Sequence, residues 1–169
     1  MDIEKLKSAH KLLCEYKYEL GTVDKGYTNR TLYVNLSENA IKEKPVTQMM
    51  KDKFIGGKGF GLWYLWNAVT PKTRWNDPEN EIVIAAGPVA GITQYPGAGK
   101  SLVVTLSPLT DLPMDSNVGG YFGPLLKFSG FDALELQGKA DKDVIVYIDG
   151  NKGIVRIEEA PLEAIDSHV

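Results

Sequence analysis

The order in which strand-like and helix-like patterns follow one another limits the fold of this chain more than any other feature. Several short apolar or alternating runs, which are typical of β-strands, succeed one another without the strict strand–helix–strand repetition of a doubly wound sheet. The sequence therefore predicts an α+β fold built on a mixed β-sheet. The predicted strands cover residues 27–36, 41–46, 81–86, 102–106, 133–136, 143–148 and 154–157, and helical patterns run from 47 to a break at 56–57, on through 69, and over 121–128.

The N-terminal 25 residues carry a further helical signal. Apolar residues recur there at steps of three and four, and Gly21 follows as a stop signal, so the spacing predicts an amphipathic helix. Its polar face mixes both charges, which favours packing against the domain body or a partner subunit over contact with a membrane. We therefore expect a helical extension over residues 1–25 and a domain over residues 26–169. The apolar residues are Leu6, Ala9, Leu13, Tyr16 and Leu20.

Length, charge and cysteine count exclude several classes of protein. A chain of 169 residues has room for one domain, and its net charge of −3 lacks the basic footprint of a nucleic-acid-binding protein. Cys14 is the one cysteine, and His10 and His168 lie near opposite ends, which excludes a disulfide framework and a protein-built zinc site. No apolar run approaches the about 20 residues of a membrane span. A cytoplasmic protein without a membrane partner is expected.

Two glycine-containing motifs resemble nucleotide-binding signatures without matching them. The run Gly97–Ser101 ends in Gly-Lys-Ser, but Gln94 stands where the P-loop needs its first glycine, and a strand pattern follows instead of a helix. The run Gly56–Gly61 places Leu62 where a dinucleotide-binding motif needs a glycine. Two interpretations of that second run stay open, namely a kink between helical segments and a phosphate contact through Lys58.

Two glycine-rich loops are the remaining candidates for a binding site. The sequences TQYPGAGKS and DSNVGGYFG each border a predicted strand or helix, and we predict the second to be part of a long loop over residues 107–120. Freed backbone N–H groups, the helix expected after Gly119–Gly120 and the Lys100 ammonium could together bind an anion, although two tight turns alone are the simpler explanation of the pattern. No set of side chains typical of nucleophilic or acid–base catalysis is present, so no catalytic residue is predicted.

At this point the motifs resemble a known family. The stretch AAGPVAGITQYPGAGKSLVVTLSPLTDLPMDSNVGGYFGPLLKFSGFDALELQGKA, together with RTLYVNLSENAIKEK and FIGGKGFG before it, resembles the N-terminal domain of tungsten-containing aldehyde:ferredoxin oxidoreductases. The most specific parts are the AAGP turn, the SPLT loop and the N-x-GG-Y-F-G-x-x-L-K-x-S-G-F-D pattern. The likeness runs from about Tyr27 to Ile157 in the family's order and leaves out the first 25 residues.

The resemblance implies cofactor-binding residues. The family's domain is an α+β base under a tungsten ion held by two pterin dithiolenes, and a backbone carbonyl of its N-x-GG asparagine binds the magnesium that bridges the pterin phosphates. The resemblance thus assigns Asn117 to magnesium and Gly119 to cofactor contact. Lys100 stands where the best-known members have an arginine between a pterin and an iron–sulfur cluster. A lysine keeps the charge but loses the forked geometry of arginine, so cofactor contact is implied more strongly than an electron relay.

The resemblance also implies the reaction and its partners. The parent enzyme would oxidise an aldehyde to a carboxylate at tungsten and pass electrons through a [4Fe–4S] cluster to ferredoxin. Such a cluster needs about four thiolates, and Cys14 alone is present, so remaining domains or a partner subunit would supply them. Because the sequence stops inside an apparent helix at 161–169, we expect a C-terminally truncated base domain that is inactive alone. Uncovered apolar surface would make it a homo-oligomer.

Two alternatives remain open from the sequence. The chain could be a non-catalytic assembly or binding subunit of a split complex, with its N-terminal segment docking a partner. It could also belong to a family member that acts on a non-aldehyde substrate of the acyl-CoA type.

Overall fold

The computed structural model describes residues 10–160. Within that range the chain forms two β-sheets and three helices. The strands are β1 Lys11–Lys17, β2 Arg30–Asn35, β3 Ala40–Pro45, β4 Glu81–Ala86, β5 Ser101–Leu106, β6 Pro113–Val118, β7 Ala133–Gln137, β8 Val144–Asp149 and β9 Ile154–Glu159. The helices are α1 Gln48–Phe54, α2 Lys58–Ala68 and α3 Phe122–Phe128.

The larger sheet is mixed. Its six strands lie in the order β3-β2-β7-β4-β5-β6, and all neighbours are antiparallel except β2 and β7, which are parallel. The smaller sheet is antiparallel, in the order β1-β9-β8. The predicted α+β class with a mixed sheet is therefore confirmed.

Apolar layers cover both faces of the larger sheet. On one face α2 packs Phe60 and Tyr64 against Val83 of β4. On the other face the smaller sheet packs Val155 and Ile157 against the six-stranded sheet. Because a layer lies on each face, Val83 and Ile84 of β4 both contact apolar partners, on opposite sides of the sheet, which explains the apolar run in β4.

The N-terminal helix predicted through Leu20 is wrong for the part that the structure describes, because residues 11–17 form strand β1. A β-bulge lies between Leu12 and Cys14 in the pairing with β9, so Leu13, Cys14 and Tyr16 all pack against the core. The extra residue of a bulge turns a period of two locally into a step of three, which imitates helical spacing. Residues 1–9, with Leu6 and Ala9, lie outside the described residues.

A second correction concerns the long loop predicted over residues 107–120. Its second half forms strand β6, which pairs along its whole length with β5 as an edge strand and has five exposed residues out of six. Its polar sequence has low β propensity, and pairing with β5 overrides that preference. The other predicted strands and helices after residue 25 are present, with ends shifted by a few residues. The helix start predicted over 161–169 lies outside the described residues.

Candidate functional site

The two glycine-rich loops meet at one end of the β5–β6 hairpin. Ser101, the first residue of β5, pairs with Val118, the last residue of β6. Lys100 and Gly119 therefore lie next to this pair, at the same end of the hairpin. The backbones beyond are in contact, because a Cβ added to Gly99 would lie 2.5 Å from the carbonyl oxygen of Gly120. We call the two segments, residues 97–100 and 117–120, the cradle. The sequence prediction that these loops belong together agrees with this geometry.

The cradle is open toward solvent. A Cβ added to Gly119 would meet no atom within 4 Å, and the same holds for Gly97 and Gly120. The latter two adopt φ angles of +82° and +93°, which favour glycine because side chains with a Cβ rarely adopt them. Lys100 is exposed beside this space. A cationic side chain and side-chain-free backbone therefore border a volume that a ligand can approach closely.

Asn117 lies on the exposed edge strand beside the cradle. It pairs with Leu102, and the two side chains share the sheet face on which α2 packs, because paired residues of antiparallel strands point to the same side. The next residue on that face of β6 is Asp115. The structure thus places Lys100, Asn117 and Gly119 at one end of one hairpin, and none of the three is buried.

The structure gives the Gly56–Gly61 run a packing role. The Gly57 N–H donates a hydrogen bond of 3.1 Å to the carbonyl of Ala86, and a Cβ on Gly56 would lie 2.8 Å from that same oxygen. A Cβ on Gly61 would lie 2.4 Å from Val104. These glycines let α2 approach the sheet closely, which supports the interpretation as a kink. The Lys58 ammonium pairs with the Asp115 carboxylate at 2.6 Å.

A short helix begins directly after the cradle, as the sequence predicts. Helix α3 starts at Phe122, and its N-cap, Tyr121, makes no side-chain capping hydrogen bond. Gly123 brings the helix against β5, since a Cβ there would lie 3.3 Å from the Ser101 Cβ. The second cradle segment is therefore anchored at both ends, by β6 before it and by α3 after it.

A buried ion pair that the sequence reasoning missed fixes the other end of α3. Lys127 and Asp132 have side chains only 6% and 1% exposed and form a salt bridge. The Lys127 ammonium also donates to the carbonyl of Gly26 at 2.8 Å, and Asp132 accepts from the backbone N–H groups of Thr28 and Asn29. The signal was present in the sequence, because Lys127 and Asp132 are the two charged residues in the otherwise apolar segment that follows the second glycine-rich loop.

Neither a cluster of metal-ligating side chains nor a membrane-spanning helix is found among residues 10–160. No group of three or more histidine, cysteine, aspartate or glutamate residues in that range could hold a metal ion. No helix in the described part of the chain has the length and apolarity needed to cross a membrane. What the cradle offers to a ligand is backbone groups, the Lys100 ammonium and Asn117.

Comparisons with known proteins agree with the described fold. The family model described as "Aldehyde ferredoxin oxidoreductase, N-terminal domain" matches residues 31–168. Proteins described as tungsten-containing aldehyde ferredoxin oxidoreductases are 41% identical over 131 residues in Pyrococcus horikoshii and 42% identical over 123 residues in Pyrococcus abyssi. These matches cover 78% and 73% of this chain but 21% and 20% of the relatives, so the chain spans about a fifth of their length.

A solved structure resembles this chain as well. It is described as the active site complex BamBC of benzoyl coenzyme A reductase with 1,5-dienoyl-CoA, and it matches with a TM-score of 0.75 and 32% sequence identity. The match covers 80% of this chain and 20% of that chain. The described fold is therefore similar to one part of a much larger protein that belongs to a complex.

Proposed function

The chain belongs to the aldehyde ferredoxin oxidoreductase family, whose N-terminal domain it matches, and we propose that its cradle binds the tungsten bis-pterin cofactor of an aldehyde-oxidising enzyme. The observation that carries the proposal is the meeting of the two glycine-rich loops at Gly99 and Gly120. Glycine backbone and the side chain of Lys100 thus lie together at one open end of the β5–β6 hairpin. A pterin cofactor with phosphate groups needs such a surface.

The residues of the cradle fit this group. An open space around Gly119, where a Cβ would meet no protein atom, leaves room for a ligand against the main chain. The Lys100 ammonium can balance part of the phosphate charge as a point cation. Asn117, two residues before Gly119, would hold the bridging magnesium through its backbone carbonyl, since a hard cation prefers oxygen ligands.

When bound, the cofactor supplies the two-electron oxidation of an aldehyde to a carboxylate at tungsten. This chain's residues bind and orient it, which is the usual share of a protein in cofactor chemistry. No histidine, carboxylate or cysteine belongs to the cradle segments, residues 97–100 and 117–120. We therefore assign the cradle to cofactor binding and no proton transfer to it.

The residues do not fit a [4Fe–4S] cluster. Such a cluster needs about four thiolates, and the sequence holds Cys14 alone, on β1 of the smaller sheet. The match leaves about four-fifths of each relative uncovered. We propose that domains corresponding to that part, or a partner subunit, supply the cluster ligands. The transfer of electrons to ferredoxin would occur there too.

A second candidate is a reaction on an acyl-CoA substrate. The similarity to the BamBC complex favours it, since that structure contains 1,5-dienoyl-CoA. The same cradle would serve both reactions, because it binds the cofactor and not the substrate. Comparing the assembled enzyme's turnover of short aldehydes with its turnover of a dienoyl-CoA separates the two candidates.

The content of tungsten and pterin tests cofactor binding. The chain, assembled with its remaining domains in an anaerobic host supplied with tungstate, should contain both, measured by elemental mass spectrometry and by fluorescence of the oxidised pterin. Gly119→Val should lower both at least tenfold, because its side chain occupies the open space in which a Cβ meets no protein atom within 4 Å. Gly21→Ala is the matched control, since its Cβ would make only an ordinary contact at 3.5 Å with Arg30. Equal cofactor content in all three proteins would contradict the proposal.

A further inference from the structure

Two carboxyl groups are buried side by side in the larger sheet, outside the cradle. Glu81 is the first residue of β4 and Glu135 lies on β7, with exposed fractions of 3% and 0%. Glu81 pairs with Gln137, and Val83 pairs with Glu135, so the two glutamates are diagonal neighbours on the same face. Long side chains at such diagonal positions can reach each other, and the negative charge of the Glu135 carboxylate acts on Glu81. We call Glu81 and Glu135 the carboxyl pair.

One cation serves both carboxyl groups. The Lys44 ammonium, on β3, lies 2.5 Å from Oε2 of Glu135. Oε1 of Glu135 and Oε2 of Glu81 are buried and receive no hydrogen bond from residues 10–160. Two ionised carboxylates paired with one ammonium would leave a net negative charge on buried side chains, which is strongly unfavourable.

The other polar groups that face the carboxyl pair have partners elsewhere. The Tyr33 hydroxyl, on β2, donates to Oε1 of Gln137 at 2.5 Å. The Tyr64 hydroxyl, on α2, is hydrogen bonded to Thr31 at 2.7 Å. Lys42, on β3, has its ammonium 4.5 Å from the centre of the Tyr33 ring, and its positive charge, like that of Lys44, lowers the pKa of Glu135. None of these groups donates a hydrogen bond to the two unpaired oxygens.

We infer that Glu81 and Glu135 share one proton, held by Glu81 and donated to Glu135, and that this hydrogen bond ties β4 to β7. The proton satisfies both unpaired oxygens at once and reduces the buried charge to the single Lys44–Glu135 pair. Burial raises the pKa of both glutamates, and the negative charge of Glu135 adds to the effect on Glu81, whose pKa rises to about 8. The Lys44 ammonium opposes the rise at Glu135, which places the proton on Glu81.

The shared proton makes stability depend on pH with a defined sign. Folded Glu81 keeps its proton up to about pH 8, whereas an unfolded glutamate releases it near about 4.3. The folded state therefore binds more protons between these two values, and stability falls as pH rises through this window. The contribution is present in full below the window and lost above it. Because Glu81 is the first residue of β4, alkaline pH weakens the pairing of β4 with β7 at the end of the strand opposite to residues 87–100.

Unfolding by urea at several pH values between about 5 and 9 tests the inference on the 169-residue chain. The folding equilibrium constant of the wild type should fall by up to about tenfold per pH unit relative to that of Glu81→Gln, since one proton is released. The glutamine amide still donates to Glu135 but cannot ionise. Glu79→Gln is the matched control, because Glu79 is two residues away and exposed; it should keep the wild-type slope.

Infrared spectroscopy gives a readout that does not depend on whether the variant folds. The wild-type chain with isotope-labelled glutamate should show the carbonyl band of a protonated carboxyl group at pH 7. That band should disappear above about pH 8, the value to which the pKa of Glu81 is raised. Equal slopes for wild type and Glu81→Gln, or no protonated band at pH 7, would overturn the inference. Neither measurement involves the cofactor, so failure here is distinct from failure of the proposed function.

Discussion

Single glycines decide how the cradle is built, and two of them have opposite roles. A Cβ on Gly99 would meet the backbone of Gly120 at 2.5 Å, whereas a Cβ on Gly119 would meet nothing. Gly99 therefore allows the two loops to touch, and Gly119 leaves space for a ligand. The two positions carry the same residue type in the sequence, so their different roles become visible only in the folded structure.

We predict that Gly99→Ala lowers the free energy of unfolding by about 1–3 kcal/mol, because the loops must move apart to admit the methyl group. Gly119→Ala should change it by less than about 0.5 kcal/mol, as surface substitutions usually do. Urea unfolding of the two variants, which carry the same chemical change 20 positions apart, measures the difference. Equal effects of the two substitutions would contradict the assigned roles.

The sequence predicts the cradle better than it predicts the buried charges. Lys100 and Gly119 are each next to a recognisable strand or helix, so their loops could be identified from local patterns. The contact between Glu81 and Glu135 depends on β4 and β7 being neighbours in the sheet, and no local pattern encodes that order. Lys127 and Asp132 are visible as charges in an apolar segment, but their burial follows only from how α3 packs.

At the scale of elements, β1 is one of the two strands that the sequence predicts wrongly. It lies before residue 31, where the family match begins, and it covers one edge of β9. The Tyr18 hydroxyl just after it donates to the carbonyl of Ser129 at 2.7 Å, and the Tyr18 ring packs on Phe131 at 4.9 Å between centroids. The strand is thus joined to the core through side chains as well as through the β-ladder.

Deletion of residues 1–17 should selectively destabilise the smaller sheet. Without β1, the backbone groups of β9 that pair with it face water, and the apolar contacts of Leu13 and Tyr16 are lost. We expect amide hydrogen exchange to accelerate at least tenfold in β9, while amides of β4 keep their protection. Unchanged protection of β9 would show that β1 is not required for the smaller sheet.

Strand β6 is the second element that the sequence predicts wrongly. Its residues Asp115, Ser116 and Asn117 are typical of loops, and nothing in their pattern alternates. The strand exists because β5 offers a free edge directly before it in the chain. Hairpin pairing between sequence neighbours can override local propensity, and a prediction from propensity alone fails at such edges.

At the scale of the whole molecule, an apolar surface is exposed along α3, the helix that follows the cradle. Tyr121, Leu125 and Phe128 of the α3 segment are 83%, 59% and 58% exposed. Phe128 and Leu20 both line a groove of about 510 Å³. Exposed apolar surface of this kind is typical of an interface, and the relatives are about five times as long as their matched part.

We predict that the 169-residue chain self-associates when it is alone, because this surface is then uncovered. Leu125→Asp should shift the chain toward monomer in size-exclusion chromatography with light scattering. Trp66→Asp, at a side chain that is 80% exposed on α2, provides the control for a general gain in charge. A wild-type chain that stays monomeric at high concentration would refute an uncovered interface.

Anomalous diffraction at the tungsten absorption edge tests the cofactor role of this chain most directly. Crystals of the assembled enzyme would give the position of the metal and the density of the pterin phosphates around it. We predict that a pterin phosphate contacts the backbone at Gly119, beside Lys100 and Asn117. Tungsten and both pterins bound without contact to residues 97–100 or 117–120 would contradict the assignment of the cradle.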